Sequence, residues 1–367
     1  MNYLYYCNSA YQIMASINLH WQRKEKKFEN IIEYGADLLI LNNFEGAESI
    51  AKNIKKLEIF NNVILIEKIT NEGAFHLIKS IKDALFPASY LSSNCGIKKR
   101  NIKNKYDIIV VSKYSTVCDA IARMNKNSKI HLIEDGMGTY FSVILLKPKS
   151  KSYIILKKML NIGTDFSNYE VLYLDRPDYY IGKDINKIRK IPNVDDTILE
   201  LYKKIFNVTE NYYNKKIFWF CQNLENDEYK KLVNNLLSIL RKYKEETIIR
   251  PHPRYPGAFD MEGFDVDLKN DSWEIEALNI EDIQDKLLIS VHSTACFTPK
   301  MLFNREPYIL LFYKLFDRQV SFANDNFDMM IDKIINSYSN KEKIMIPNTV
   351  EEFKECLEKF DKIKGGN

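Results

Sequence analysis

The sequence is poor in the residues that break or staple a chain: 12 glycines and 10 prolines in 367 residues, and six cysteines at 7, 95, 118, 221, 296 and 356. Low glycine and proline exclude a collagen-like or low-complexity polymer. The cysteines form no C-x-x-C pair and no histidine follows at zinc-finger spacing, which argues against a disulfide scaffold or structural zinc and for buried thiols in a reduced, cytoplasmic protein. No run of 18 apolar residues occurs, and the opening MNYLYYCNSAYQIMASINLHWQRKEKK has no basic segment ahead of its apolar stretch. Neither a membrane span nor a secretion signal is expected. Charge of one sign is also missing: the net charge is +4, too little over 43.2 kDa to call for duplex nucleic acid. The G-x-G-x-x-G dinucleotide fingerprint, the P-loop, G-x-S-x-G and H-E-x-x-H are absent.

What remains is 46% hydrophobic and 28% charged, a globular composition at a length that suits two domains of roughly 150 to 200 residues. Short apolar runs alternate with amphipathic helical patterns. Strands are predicted at Tyr3–Tyr6, Asp37–Leu41, Val63–Glu67, Asp107–Ser112, Lys129–Ile133 and Val171–Leu174, with helices at Tyr11–His20, Ala47–Leu57, Phe75–Leu85 and Thr116–Met124. The pattern weakens after Asp175 and restarts with strands at Ile217–Cys221, Thr247–Arg250, Phe264–Leu268, Leu287–Val291 and Tyr308–Phe312, and helices at Asp227–Tyr243, Glu274–Asp282, Ser293–Phe303 and Val350–Lys362. This alternation predicts two α/β domains, 1–190 and 191–367, each a Rossmann-like parallel sheet covered by helices, facing each other across a ligand cleft.

The unusual polar clusters fall just after predicted strands, where open α/β sheets carry their sites. Glu134-Asp135-Gly136 ends an apolar strand with two carboxylates and a turn; one of them could point into a crevice and act as a general base, or the pair could be a solvated acidic turn. In Arg250-Pro251-His252-Pro253-Arg254 the prolines hold the backbone around a histidine, as an acid or phosphate ligand requires, though a lone histidine is more often structural. Ser293-Thr294 opens a helix, where free backbone N–H groups and hydroxyls suit a phosphate, though ordinary capping also accounts for them. Gln222 follows a strand directly, and Trp273-Glu274-Ile275-Glu276 places carboxylates at a helix start that could hold ribose hydroxyls or equally serve as helix caps. Asn8, Ser9 and Gln12 form a small polar turn between the first strand and helix.

In this order the clusters resemble the motifs of bacterial sialyltransferases: an acidic pair with glycine, then His-Pro, then a Ser-Ser/Thr pair. The opening Tyr-Tyr-Cys7-Asn8-Ser9-Ala-Tyr-Gln12 is similar to the start of glycosyltransferase family 52, the lipooligosaccharide and capsule sialyltransferases. The resemblance spans both halves. It implies a GT-B-type fold, with the acceptor on the N-terminal domain and CMP-sialic acid held mainly by the C-terminal one through Gln222, Arg250, Pro253, Trp273, Glu274 or Glu276, Ser293 and Thr294. It implies that His252 acts as the acid that helps CMP leave. Glu134 would be the base, with Asp135 beside it, Asn8, Ser9 and Gln12 on the acceptor side, and Glu225 and Asp227 as rival bases in the second domain. No cofactor is expected beyond the donor. The transfer would be inverting and metal-independent, onto a galactose-terminated glycan that is lipid-linked or capsular, with peripheral contact at the inner leaflet. A UDP-hexose donor and a non-catalytic glycan- or nucleotide-binding module are the competing expectations.

Overall fold

The computed structural model describes residues 1–26, 35–67, 85–98, 102, 105–141, 164–206, 214–222, 227–251, 259–267, 272–316 and 324–365. They form two units, Met1–Phe206 and Asn207–Asn367.

The first unit is a seven-stranded sheet in the order β3-β2-β1-β4-β5-β6-β7, every neighbouring pair parallel. Its strands are β1 (Asn2–Cys7), β2 (Gly35–Asn42), β3 (Asn62–Glu67), β4 (Ile108–Val111), β5 (Lys129–Ile133), β6 (Val171–Leu174) and β7 (Ile188–Lys190). Six of the seven match the predicted runs to within a residue or two. They were legible because a strand buried on both faces reads as a continuous apolar run: Ile108-Ile109-Val110-Val111 is buried throughout. Helices α1 (Ala10–Lys26), α2 (Ala47–Lys56), α3 (Pro87–Cys95), α4 (Thr116–Met124), the short α5 (Gly138–Phe141) and α6 (Asp196–Ile205) complete the unit. The helix expected at Phe75–Leu85 lies, except for Leu85, outside the described residues.

The unit runs past residue 190, where the sequence suggested a boundary. Asp195 caps α6, its Oδ1 accepting the Ile198 N–H at 3.0 Å. The helix is then tied down at two points: Tyr202 Oη donates to the Met14 carbonyl at 2.7 Å, and Asn53 Nδ2 donates to that of Ile205 at 2.8 Å. Residues 191–206 therefore belong with the first sheet, and the division falls after Phe206.

The second unit is a six-stranded, all-parallel sheet, β10-β9-β8-β11-β12-β13. Its strands are β8 (Ile217–Phe220), β9 (Thr247–Arg250), β10 (Asp265–Val266), β11 (Leu287–Ser290), β12 (Tyr308–Leu311) and β13 (Ile344–Met345). Around them lie α7 (Asp227–Leu240), α8 (Trp273–Asn279), α9 (Thr298–Phe303), α10 (Asp325–Ser337) and α11 (Val350–Gly365). Trp219, buried at the sheet centre, packs its ring against Phe312 and Phe353, with centroids 5.0 and 6.3 Å away. All six cysteines are free thiols, five of them buried; burial, with the Asp135 charge adding and the Ser16 hydrogen bond opposing, pushes that of Cys7 up to about 12.

Both sheets reverse strand order at an inner pair, β1 beside β4 in the first and β8 beside β11 in the second. Loops leaving the carboxyl ends of such a pair diverge to opposite faces and leave a crevice. Asn8–Gln12 and Ser112–Lys113 leave the first switch point; Cys221–Gln222 and His292–Thr294 leave the second.

Candidate functional site

In the first unit the acidic turn after β5 splits its two carboxylates between inside and outside. Glu134 is fully buried, whereas Asp135 is exposed. Gly136 makes this possible: its φ of +83° is a left-handed conformation that reverses the chain at once. The turn is then closed by the Asp135 N–H donating to Thr139 Oγ1 at 2.9 Å and the Thr139 N–H to the Gly136 carbonyl at 3.1 Å.

Glu134 accepts from the Tyr11 hydroxyl on Oε1, and from the Tyr140 hydroxyl and the Asp175 N–H (2.9 Å) on Oε2. Asp175 follows β6 directly, and its carboxyl is hydrogen-bonded to that of Glu134. The Tyr11 hydroxyl also lies 3.3 Å from Asp175 Oδ2. Burial, then the Asp175 charge and hydrogen bond, hold the Glu134 carboxyl well above the usual carboxylate range. Burial likewise pushes Asp175 up to about 6, against the pull of the Glu134 hydrogen bond, Lys190 and Arg176. Both carboxyls are thus raised, and their mutual hydrogen bond and like charge favour a proton between them.

Asp135 is held differently. Gln12 Nε2 donates to its Oδ1 at 2.5 Å, and Lys113 Nζ pairs with Oδ2 at 2.9 Å. Gln12 is wholly buried and organises the whole switch point: it accepts the Asn8 N–H at 2.8 Å, donates to Asn8 Oδ1 at 3.1 Å and to Ser112 Oγ at 2.7 Å. Ser9 Oγ accepts the Gln12 N–H at 3.3 Å, which starts α1. Asn8, Ser9, Gln12 and Asp135, all singled out from sequence, thus come together. Glu134 lies beneath them, covered by two tyrosines, so the member of the acidic pair that solvent or a substrate hydroxyl can meet is Asp135.

In the second unit, His252, Pro253 and Glu225 lie outside the described residues. Arg250, the last residue of β9, is buried and ion-paired to both Glu276 and Asp267, the latter at 3.3 Å, with its guanidinium 5.4 Å from the Trp273 ring centroid. Two residues expected to face a nucleotide, Arg250 and Glu276, are therefore joined to each other. Of the two carboxylates at this helix start, the half-buried Glu274 is the more open; it accepts from Ser272 Oγ at 2.5 Å. Trp273 packs between Phe218 and Phe220, and its Nε1 donates to the Ala295 carbonyl at 2.7 Å, linking α8 to the loop after β11. Ser293 caps the short 3-10 turn Thr294–Cys296, its Oγ accepting the Ala295 N–H at 3.2 Å. Gln222 and Thr294 are half-buried at the neighbouring strand ends, and Asp227 is exposed on the first turn of α7.

Four participants escaped the sequence reading: Tyr11, Lys113, Tyr140 and Asp175. Asp175 carried a usable signal, an acid placed directly after a buried strand as Glu134 is. In the second unit His292 joins the site region. Its imidazole is pushed down to about 4 by burial, and its Nδ1 has no hydrogen-bond partner among the described residues. It is therefore a neutral ring at pH 7.

Two Rossmann-like parallel sheets, each with its polar residues at the switch point, define a fold of the GT-B glycosyltransferase type. The S. aureus MnaA–UDP co-structure is similar over 99% of this chain and 88% of its own, with a TM-score of 0.52 and 10% identity. Lower likeness extends to the UDP-GlcNAc 2-epimerase of Methanocaldococcus jannaschii (TM-score 0.48, 11% identity, 98% and 92% covered). The spinosyn rhamnosyltransferase SpnG is comparable (TM-score 0.47, 10% identity, 98% and 91% covered). No curated protein matches the sequence. The pattern of the alpha-2,8-polysialyltransferase family, however, matches residues 3–311, and the chain belongs to that family.

Proposed function

We propose that the protein transfers sialic acid from CMP-sialic acid to the non-reducing end of a glycan, inverting the anomeric centre without a metal ion. The observation that carries this reading is the family match, which runs from β1 through β12 and so includes both switch points. The finer kinship with glycosyltransferase family 52 rests on the sequence motifs alone.

In this reading the donor lies on the second unit. Ser293 and Thr294 bind its phosphate, with Gln222 and Trp273 beside it and Glu274 on the ribose. The Arg250–Glu276 pair frames the strand end that leads into Pro253 and His252, the acid for the departing CMP. Loss of a nucleotide monophosphate through an oxocarbenium-like transition state needs one charge neutralised and one acceptor proton removed. For that proton, Asp135 is favoured over Glu134: it is open and hydrogen-bonded by Gln12, whereas Glu134 is fully buried and covered by Tyr11 and Tyr140. Asp227, and Glu225 with it, remain rivals from the second domain.

The family name favours an acceptor that ends in sialic acid over one that ends in galactose, and Lys113, partly exposed beside Asp135, supplies a cation for a sugar carboxylate. A lipid-linked or capsular acceptor, met at the inner leaflet, completes the proposal; no helix of the described residues is long and apolar enough to cross a membrane.

The test is product mass spectrometry with CMP-sialic acid and both sialic-acid- and galactose-terminated acceptors, with and without EDTA. Transfer to either acceptor, unaffected by chelation, is expected. Tighter binding of UDP than CMP in a titration, or no transfer at all, overturns the reading. Asp135→Asn and His252→Ala should each cost about two or more orders of magnitude in kcat; a full effect from Asp227→Asn instead would put the base in the second domain.

A further inference from the structure

Tyr11 and Gln12 are consecutive residues in the first turn of α1, and they hold two different acids. The Tyr11 hydroxyl donates a hydrogen bond to Glu134 and lies beside Asp175; Gln12 donates to Asp135. The backbone is caught in the same network: the Asp175 N–H donates to Glu134, the Arg176 N–H donates to Tyr140 Oη at 3.2 Å, and the Ile181 N–H donates to the Tyr140 carbonyl at 2.9 Å. The ends of β5 and β6 and the starts of α1 and α5 thus meet on two buried carboxyls. Such a pair is firm when one proton lies between the two groups. With two protons it has one donor too many, and with none it repels itself.

We propose that Asp175 is a positioning residue of the acceptor-side site: it shares one proton with Glu134, which fixes Tyr11 and, through the rigid first turn of α1, sets Gln12 against the Asp135 carboxylate. The inference rests on the reading of Asp135 as the acceptor-side base. Asp175 itself does not touch substrate.

The groups that face the pair come from every neighbouring element: Tyr11 from α1, Tyr140 from α5, Tyr202 from α6, Lys190 from β7 and Arg176 from the loop after β6. Burial pushes the Tyr140 and Tyr202 hydroxyls further up, so the pair itself is what titrates. Acidification through about 6 adds its second proton. Asparagine at 175 mimics that doubly protonated state permanently.

Wild type should lose kcat as pH falls through this region. Asp175→Asn should sit on a low, flat plateau, about 10- to 100-fold below wild type at pH 7.5, with the KM for CMP-sialic acid unchanged and partial recovery in Asp175→Glu. An Asp175→Asn enzyme within twofold of wild type, or one that keeps the acid limb, overturns the proposal. A second measurement does not depend on turnover. At pH 7.5 the infrared spectrum should contain a protonated-carboxyl band that Glu134→Gln removes, and whose titration midpoint falls in Asp175→Asn. No such band, or an unmoved midpoint, refutes the shared proton. If the band behaves as expected while wild type transfers nothing from CMP-sialic acid, the sialyl reading has failed and the proton-sharing pair stands.

Discussion

Asp175 carries its charge at a thermodynamic cost. The unfolded residue ionises near 3.8, and the folded one at about 6. Between those values the folded state holds more protons than the unfolded one, so stability falls as pH rises, and above about 6 the loss is constant. The full cost is on the order of 3 kcal/mol. Asp175→Asn should therefore raise stability at pH 7 by up to about that amount, in urea unfolding followed by circular dichroism, and the gain should shrink toward nothing by about pH 4. His131 works in the opposite direction. Burial, with Arg23 and Lys129 adding, pushes it down to about 3. The folded chain thus keeps it neutral while the unfolded chain protonates it below about 6.5; its contribution is complete above 6.5 and is lost on acidification. Without Asp175 to offset it, the variant should lose stability more steeply than wild type as pH drops from 6 to 4. A substitution that stabilises while it slows turnover is the signature of a residue kept for function. Gly136 gives a second check: at φ +83°, Gly136→Ala should cost at least about 1 kcal/mol and lower transfer, because the turn that separates Glu134 from Asp135 no longer closes cleanly.

Among elements, α6 shows how a helix outside both sheets can decide a boundary. Its amphipathic stretch follows an aspartate cap, and the cap accounts for a definite share of its stability. Asp195→Ala should cost about 1 kcal/mol in chemical denaturation and leave transfer unchanged, since Tyr202, the α6 residue that faces the acidic pair, keeps its own bond to Met14. The central strands were readable for the reason that hid β7. Central strands such as Ile217-Phe218-Trp219-Phe220 are buried on both faces and leave an unbroken apolar run, whereas β7, Ile188-Arg189-Lys190, is an edge strand with its last two residues exposed and has no such run. Likewise β13 is two residues long, below the length at which any period can be recognised. Asn8, Ser9, Gln12 and Asp135 were legible because polar residues directly after a buried strand are conspicuous. The partnership of Glu134 with Asp175, 41 residues apart, was not: it exists only because β5 and β6 are neighbours in the sheet.

For the molecule as a whole, each unit has its own sheet and its own buried core; the half-buried Trp21 belongs to the first unit, and the buried Trp219 and Trp273 to the second. Thermal unfolding should resolve into two calorimetric transitions, and Asp175→Asn should move only one of them; indole fluorescence, carried mainly by the two tryptophans of the second unit, should follow the other. A single transition that moves as one in the variant would show that the cores unfold together.

The central position of β1 has a consequence for biosynthesis. Residues 2–7 pair with β2 on one side, available as soon as residue 42 is made, but on the other side with β4 at Ile108–Val111. At typical ribosomal speed those hundred residues take on the order of ten seconds. For that interval one edge of an apolar strand is open, and Gln12 waits for Ser112 and Asp135. The site can thus form only once residue 135 has been made, and a chaperone that shields the β1 edge on the nascent chain until then would act while this strand is most prone to aggregate.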